Sequence, residues 1–136
     1  MSFALTTQQV REQTKTVTRR LGWQFLKVGD VVQPVLKCQG LKPGESIQKI
    51  GGPISIVDVR REPLKAIIDD PAYGSDEVFA EGFQMLPESF VEMFCQHMRP
   101  CQPWWTVTRI EFAYEEATAT NAVDPSADVM ESGPRA

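Results

Sequence analysis

Thr14-Lys15-Thr16-Val17-Thr18-Arg19-Arg20 packs three positive charges and three hydroxyls into seven residues. No other stretch concentrates as much anion-binding and proton-transfer chemistry. A lysine loses its proton more readily when buried, and a threonine hydroxyl beside a base can attack an acyl carbon. The planar arginine fork suits phosphate or carboxylate. In extended chain Lys15, Val17 and Arg19 share one face, and Thr16, Thr18 and Arg20 the other. The run reads as a site for an anion or a base, or as a solvated turn. Glu81-Gly82-Phe83 is a second candidate: a carboxylate just before a break can act as general base, or it can be an exposed loop end. Cys95-Gln96-His97-Met98-Arg99-Pro100-Cys101 holds the single histidine and two of the three cysteines. With Cys38 these could ligate zinc. The spacing Cys-x-His-x3-Cys is not a common zinc knuckle, and free cysteines usually pack as small hydrophobes. No metal and no cofactor is therefore expected, with Cys95, His97 and Cys101 as weak metal candidates. Trp104-Trp105, with Trp23 and Tyr73, can stack on bases or pack at a rim. The chain has no Gly-rich phosphate loop, His-Glu-x-x-His pair or nucleophile elbow.

The elements that must hold these groups follow from pattern. Phe3-Ala4-Leu5 predicts a short strand, and Thr6 or Thr7 predicts the N-cap of a helix over Gln8 to Gln13. The Thr- and Val-rich run from Thr14 predicts extended chain, ended by a turn at Gly22. Lys27-Val28-Gly29-Asp30 is a turn leading into a predicted strand from Val31 to Cys38, where Pro34 argues for an edge or a bulge. A Gly/Pro-rich loop over 39–53 precedes the clearest strand, Pro53 to Arg61. Pro63 predicts the start of a short helix reaching Ile68. Residues 69–75 read as a surface loop, Ser75 as the cap of a helical turn to Glu81, and Gly82 as its stop. Leu86, Phe90, Met93 and Phe94 recur at helical spacing and predict an amphipathic helix. In the last strand, from Trp104, Thr106, Thr108, Ile110, Phe112 and Tyr114 share one face, and Val107, Arg109, Glu111 and Ala113 the other. From Glu115 onward no period survives, which predicts a disordered acidic tail over 115–136. The order of elements implies a small α+β domain over 1–114, with a mostly antiparallel sheet or barrel.

Length and composition agree with one globular domain: 136 residues, 42% hydrophobic and 24% charged. No window is apolar enough for a membrane span, and Met1 to Leu5 lacks the features of a secretory signal. An odd cysteine count fits a reducing cytoplasm better than a disulfide framework. The net charge of -4 hides an asymmetry. Residues 1–68 carry 11 basic against 5 acidic side chains, and residues 69–114 carry 2 against 8. Either the first half presents a positive face to an anionic ligand, or the halves fold together and their charges pair.

Four fragments in order resemble the ASCH family of PUA-like β-barrels with flanking short helices. They are Lys15-Thr16-Val17-Thr18-Arg19-Arg20, the turn Lys27 to Asp30, Glu81-Gly82-Phe83 with Glu88-Ser89-Phe90, and Val107-Thr108-Arg109-Ile110-Glu111-Phe112. The doubled arginine looks like that of ASCH proteins carried by phages and prophages. Gln13 stands where that family usually has glycine, and Thr14 where it has a basic residue. The resemblance implies binding of RNA or of a modified nucleoside. It also implies, as an alternative, an amidohydrolase that removes acyl groups from N4-acylcytidines, with Lys15, Thr18 and Glu81 as the catalytic set. Arg20 would hold a ligand anion, with Arg19, Trp23 and Lys27 as further ligand or RNA contacts, Arg19 being the one nearer solvent. A third alternative is a phage-encoded interaction module whose basic half meets an acidic host protein.

Overall fold

Alternating β-branched residues over 54–63 make the longest strand, and it and its partner are the spine of the sheet. The computed structural model describes residues 1–37 and 41–115. Cys38 and the predicted tail, apart from Glu115, lie outside the described residues. β1 (Val17–Arg20), β2 (Val31–Val32), β3 (Ile54–Pro63) and β4 (Thr106–Tyr114) form one antiparallel sheet in the order β1-β4-β3-β2, curled like half a barrel. The first and last strands are therefore neighbours, and β1 is an edge. A bulge between Ile56 and Asp58 offsets the β3–β4 register, adding the local bend that bulges supply.

The two sheet faces differ as the alternation in β4 predicts. On one, Ile110 and Phe112 join Ile54, Ile56, Phe3, Val10, Leu26 and Ile50 in an apolar cluster. On the other, Val107 packs with Leu64, Ile67, Val78, Phe90, Val91 and Phe94. The helices over this second face are α2 (Ala66–Asp69), α3 (Pro71–Ala80) and α4 (Pro87–His97). At the start of the chain, α1 (Thr7–Arg11) follows a single 3₁₀ turn over Ala4–Thr6.

Several boundaries differ from expectation, each for a local reason. Phe3 donates its backbone N–H to Val35 O at 2.9 Å, but Thr6 N then bonds back to Phe3 O, so the first apolar residues turn instead of running as a strand. Thr6 occupies the N-cap without a side-chain bond; Thr7 Oγ1 donates to Phe3 O instead. The strand expected over 31–38 shrinks to Val31–Val32, because Pro34 has no N–H to continue a ladder. Val35 forms only isolated bridges, to Ser2 and Lys49. Pro63 ends β3 and does not open a helix. The loop expected over 69–75 is largely helix: Asp70 caps α3 by accepting from Tyr73 N, and Pro71 takes the first helical position, a strong pairing of cap and starter.

Candidate functional site

Two helix ends build the site. α1 stops in a Schellman motif: Gln13 N donates to Val10 O at 3.1 Å and Thr14 N to Gln9 O at 2.9 Å. Gln13 itself supplies the left-handed residue, with φ 61. α3 stops the same way, with Gly82 N bonded to Phe79 O, Phe83 N to Val78 O, and Gly82 at φ 98. The chain between the first motif and β1 is joined to α3 by Thr16 N, which donates to Ala80 O at 2.8 Å. Gln9 Nε2 donates to Gly82 O at 3.0 Å. Lys15 and Glu81, 66 residues apart in sequence, thus meet where the two helices end.

Lys15 Nζ donates to the Glu81 carboxylate and to the Glu81 backbone carbonyl, both at 2.7 Å. Lys15 is 2% exposed and Glu81 3%, which leaves no room for an exposed loop-end reading of Glu81. A lysine at a helix C-terminus satisfies a free carbonyl and the helix dipole together. Burial pushes the Lys15 ammonium below its ordinary range, against the opposing attraction of Glu81; Arg20 and Arg19 push in the same direction as burial. Tyr114 Oη donates to Lys15 O at 2.6 Å, and burial pushes that phenol up to about 12.

Beside this pair lies a buried ionic cluster that composition does not reveal. Register places Arg19 opposite Arg109, and Arg109 opposite Arg60, a row of like charges that would repel without compensation. α3 and the strands provide it. Arg19 Nη2 donates to Glu77 at 2.6 Å and Glu62 at 2.9 Å, and Nη1 to Glu81 at 3.3 Å. Arg109 grips Glu77 through Nε at 2.7 Å and Nη2 at 2.9 Å, and also reaches Asp58 and Glu111. Burial alone would raise Glu62 and Glu77. The hydrogen bonds from Arg19 and Tyr73 to Glu62, and from Arg109 and Arg19 to Glu77, hold both below the usual carboxylate range. Lys15 and Arg19, from the basic half, thus pair with Glu77 and Glu81 of the acidic half. Arg19 faces this cluster and not solvent. Its Nε is a buried side-chain nitrogen with no partner among the described residues.

A cavity of about 160 Å³ lies along β1. Lys15, Thr18, Arg19, Arg20 and Glu81 contribute to its wall, as do Phe3, Phe83, Phe90 and Phe94. Groups from both faces of β1 reach it, as an edge strand allows. Arg20 Nε donates to Thr18 Oγ1 at 3.2 Å, and its Nη2 to Ser2 O at 2.6 Å. Its guanidinium carbon lies 4.9 Å from the Phe3 ring centre. Lys15 and Thr18 share the cavity, but among the described residues no hydrogen bond joins them. Trp23 and Lys27 lie apart from it. Trp23 packs near the first apolar cluster and against Phe25, and Lys27 is exposed in its turn, its backbone N–H donating to Asp30. Trp104 and Trp105 also lie outside the cavity wall, 62% and 37% exposed. The Cys95–Cys101 segment divides: His97 lines this cavity, while Cys95 and Cys101 line a different groove. Among the described residues no group of three or more metal-type ligands forms, and no helix is long and apolar enough to cross a membrane.

No family model, curated protein or solved structure matches the chain. The density of charge and hydroxyls nominates Lys15, and a carboxylate before a glycine break nominates Glu81; the choice of Thr18 among the threonines comes from the family resemblance. Glu77, Glu62 and Arg109 were missed; for Glu62 and Arg109 the available sign was charge alternating with apolar residues in β3 and β4, and Glu77, in α3, gave none.

Proposed function

We propose that the protein binds a nucleoside, or one unstacked base of an RNA, in the cavity along β1, and that its half-barrel is of the PUA-like ASCH type. The observation that carries this reading is the cavity itself. It is small beside ordinary ligand pockets of about 300–1,000 Å³, and four phenylalanines contribute to its wall next to Lys15, Glu81, Thr18 and Arg20. Such a wall suits a flat heterocycle with a polar edge, stacked against aromatic rings. Arg20, already oriented by Ser2 and Thr18, is placed to meet a phosphate or carbonyl oxygen. An acceptor atom on the ligand would also satisfy Arg19 Nε. The test is titration with cytidine, N4-acetylcytidine and a short single-stranded RNA, followed by calorimetry. Binding of one of the three, weakened at least about tenfold by Arg20→Ala with the fold intact, supports the reading. Unchanged affinity in that variant, or no binding of any of the three, overturns it.

A second reading, hydrolysis of an N4-acylcytidine, is favoured by one observation: burial depresses Lys15 within the cavity that Thr18 also lines. Thr18 Oγ1 accepts from Arg20, which leaves its own proton available to donate. In this reading neutral Lys15 takes that proton as Oγ1 attacks the acyl carbon, then passes a proton across its bond to Glu81, which hands it to the departing amine as the C–N bond breaks. Water then releases the acyl group from Thr18. Binding ranks ahead of hydrolysis because Lys15 spends its bonds on Glu81 and not on Thr18. Release of acetate from N4-acetylcytidine by the native chain, abolished in Thr18→Val, would establish hydrolysis; tight binding without turnover would reject it.

A further inference from the structure

α4 and the segment after it set two thiols against each other. Cys95 Sγ lies 3.2 Å from Cys101 Sγ, with Cys95 half-buried and Cys101 buried. A disulfide has a bond of about 2.05 Å, so an approach of about 1 Å would close one. The pair borders a broad groove of about 940 Å³ between α4 and residues 99–103, where Glu88, Glu92 and Arg99 also lie. Structural cysteines are usually inert in apolar packing. This pair also borders the apolar cluster under α4, but here the two sulfurs touch, and both residues line the groove from which a small oxidant would approach half-buried Cys95.

We propose that Cys95 and Cys101 are a two-electron redox site whose substrate is a small hydroperoxide, with Cys95 attacking and Cys101 resolving. In the first step the Cys95 thiolate attacks one peroxide oxygen. The S–O bond forms, the O–O bond breaks, and the other oxygen leaves with a proton as an alcohol or water. Cys95 is then a sulfenic acid. In the second step Cys101 sulfur attacks Cys95 sulfur, the S–S bond forms, and hydroxide leaves with the Cys101 proton as water. The thiols together lose two electrons and the peroxide gains them; a dithiol reductant reverses the change by exchange. The order of attack follows from surroundings. Burial first, and then the bond and charge of Cys95, push the Cys101 thiol up to about 12, so it holds little thiolate until its neighbour has reacted. His97 takes no part, since it faces the cavity along β1.

The test treats the reduced full chain with a small excess of hydrogen peroxide and maps the products by mass spectrometry. The expected product is lighter by two hydrogens, Cys95 and Cys101 both resist alkylation, and dithiothreitol restores both. Cys95→Ser slows peroxide consumption at least about tenfold, because thiolate and not thiol is the nucleophile. Cys101→Ser keeps the first step and stops at a sulfenic acid that dimedone traps. The proposal is overturned if both thiols stay alkylatable under peroxide that oxidises free glutathione in the same tube. It is equally overturned if Cys95 or Cys101 pairs with Cys38 instead, or if both end as sulfinic acids with no bond between them. Should either serine variant lose its circular dichroism, the wild-type alkylation pattern decides alone.

Discussion

At the residue scale, Lys15 has one structural duty and one proposed duty, and the two are separable. It neutralises Glu81 and closes the end of α3, so Lys15→Met leaves a buried carboxylate with only Arg19 as a charged partner among the described residues. The expected loss is about 3 kcal/mol of unfolding free energy, read by urea denaturation, and a loss below about 1 kcal/mol would mean the pair is not buried as described. The second duty, which belongs to the hydrolytic proposal, is chemical, and Thr18→Val probes it without disturbing that ion pair. If the hydrolytic reading holds, kcat/KM for N4-acetylcytidine rises with pH through an apparent pKa below 10.5, the ordinary lysine value, because the base form of Lys15 is the active one. A rate that rises nowhere with pH below 10.5 would remove Lys15 from the base role. The run from Thr14 to Arg20 was legible as chemistry because unusual density is visible in sequence. Glu81 was a candidate too, but its buried ion pair with Lys15 was not legible, since a contact across 66 residues depends on how two helix ends come to rest together. Arg19 was misjudged for the same reason. A strand's alternation says which residues share a face, not what covers that face.

At the scale of elements, the sheet spine, α4 and the stop at Gly82 follow from periodicity and glycine, while helix starts were harder to place. α3 was hidden by Asp70-Pro71, which reads equally as a turn or as a cap. Two substitutions probe these elements with opposite signs. Gln13 holds a left-handed conformation that costs an L-residue roughly 1–2 kcal/mol, and glycine takes it freely. Gln13→Gly should therefore raise stability by about 1 kcal/mol, measured as a higher urea midpoint at unchanged slope. Gly74 lies inside α3, where replacement of glycine by alanine normally helps. Here a Cβ would sit 1.8 Å from Ile67 O and 2.8 Å from Ile67 C, where α3 crosses α2. Gly74→Ala should destabilise by about 2 kcal/mol or more; a stabilised variant would show that the two helices are farther apart. The absence of glycine at position 13 thus leaves the Schellman geometry in place, with strain taken up by the backbone.

At the scale of the whole molecule, the ionic cluster ties three strands to α3 and sets the acid response. Glu62 and Glu77 are held below the ordinary value of 4.5. Folding is therefore favoured by their ionisation above that pH, and the contribution is lost as pH falls from 4.5 through the lower folded values. The thermal midpoint should fall as pH drops below 4.5, and Glu77→Gln should flatten that slope while lowering stability at pH 7 by about 3–5 kcal/mol. An unchanged acid slope in Glu77→Gln would assign acid unfolding to other carboxylates. Charge asymmetry between the halves was legible in sequence, and pairing was one of its two readings; which charges pair, and that they are buried, was not, because composition carries no register. The strand order β1-β4-β3-β2 has one more consequence, in time instead of space. Tyr114 closes on the Lys15 backbone across 99 residues. At synthesis rates of roughly 5–20 residues per second, a ribosome delivers that partner about 5 to 20 seconds after Lys15. Throughout that interval β1 has no β4 to pair with, so its unpaired edge stays open to other chains until the last strand is translated.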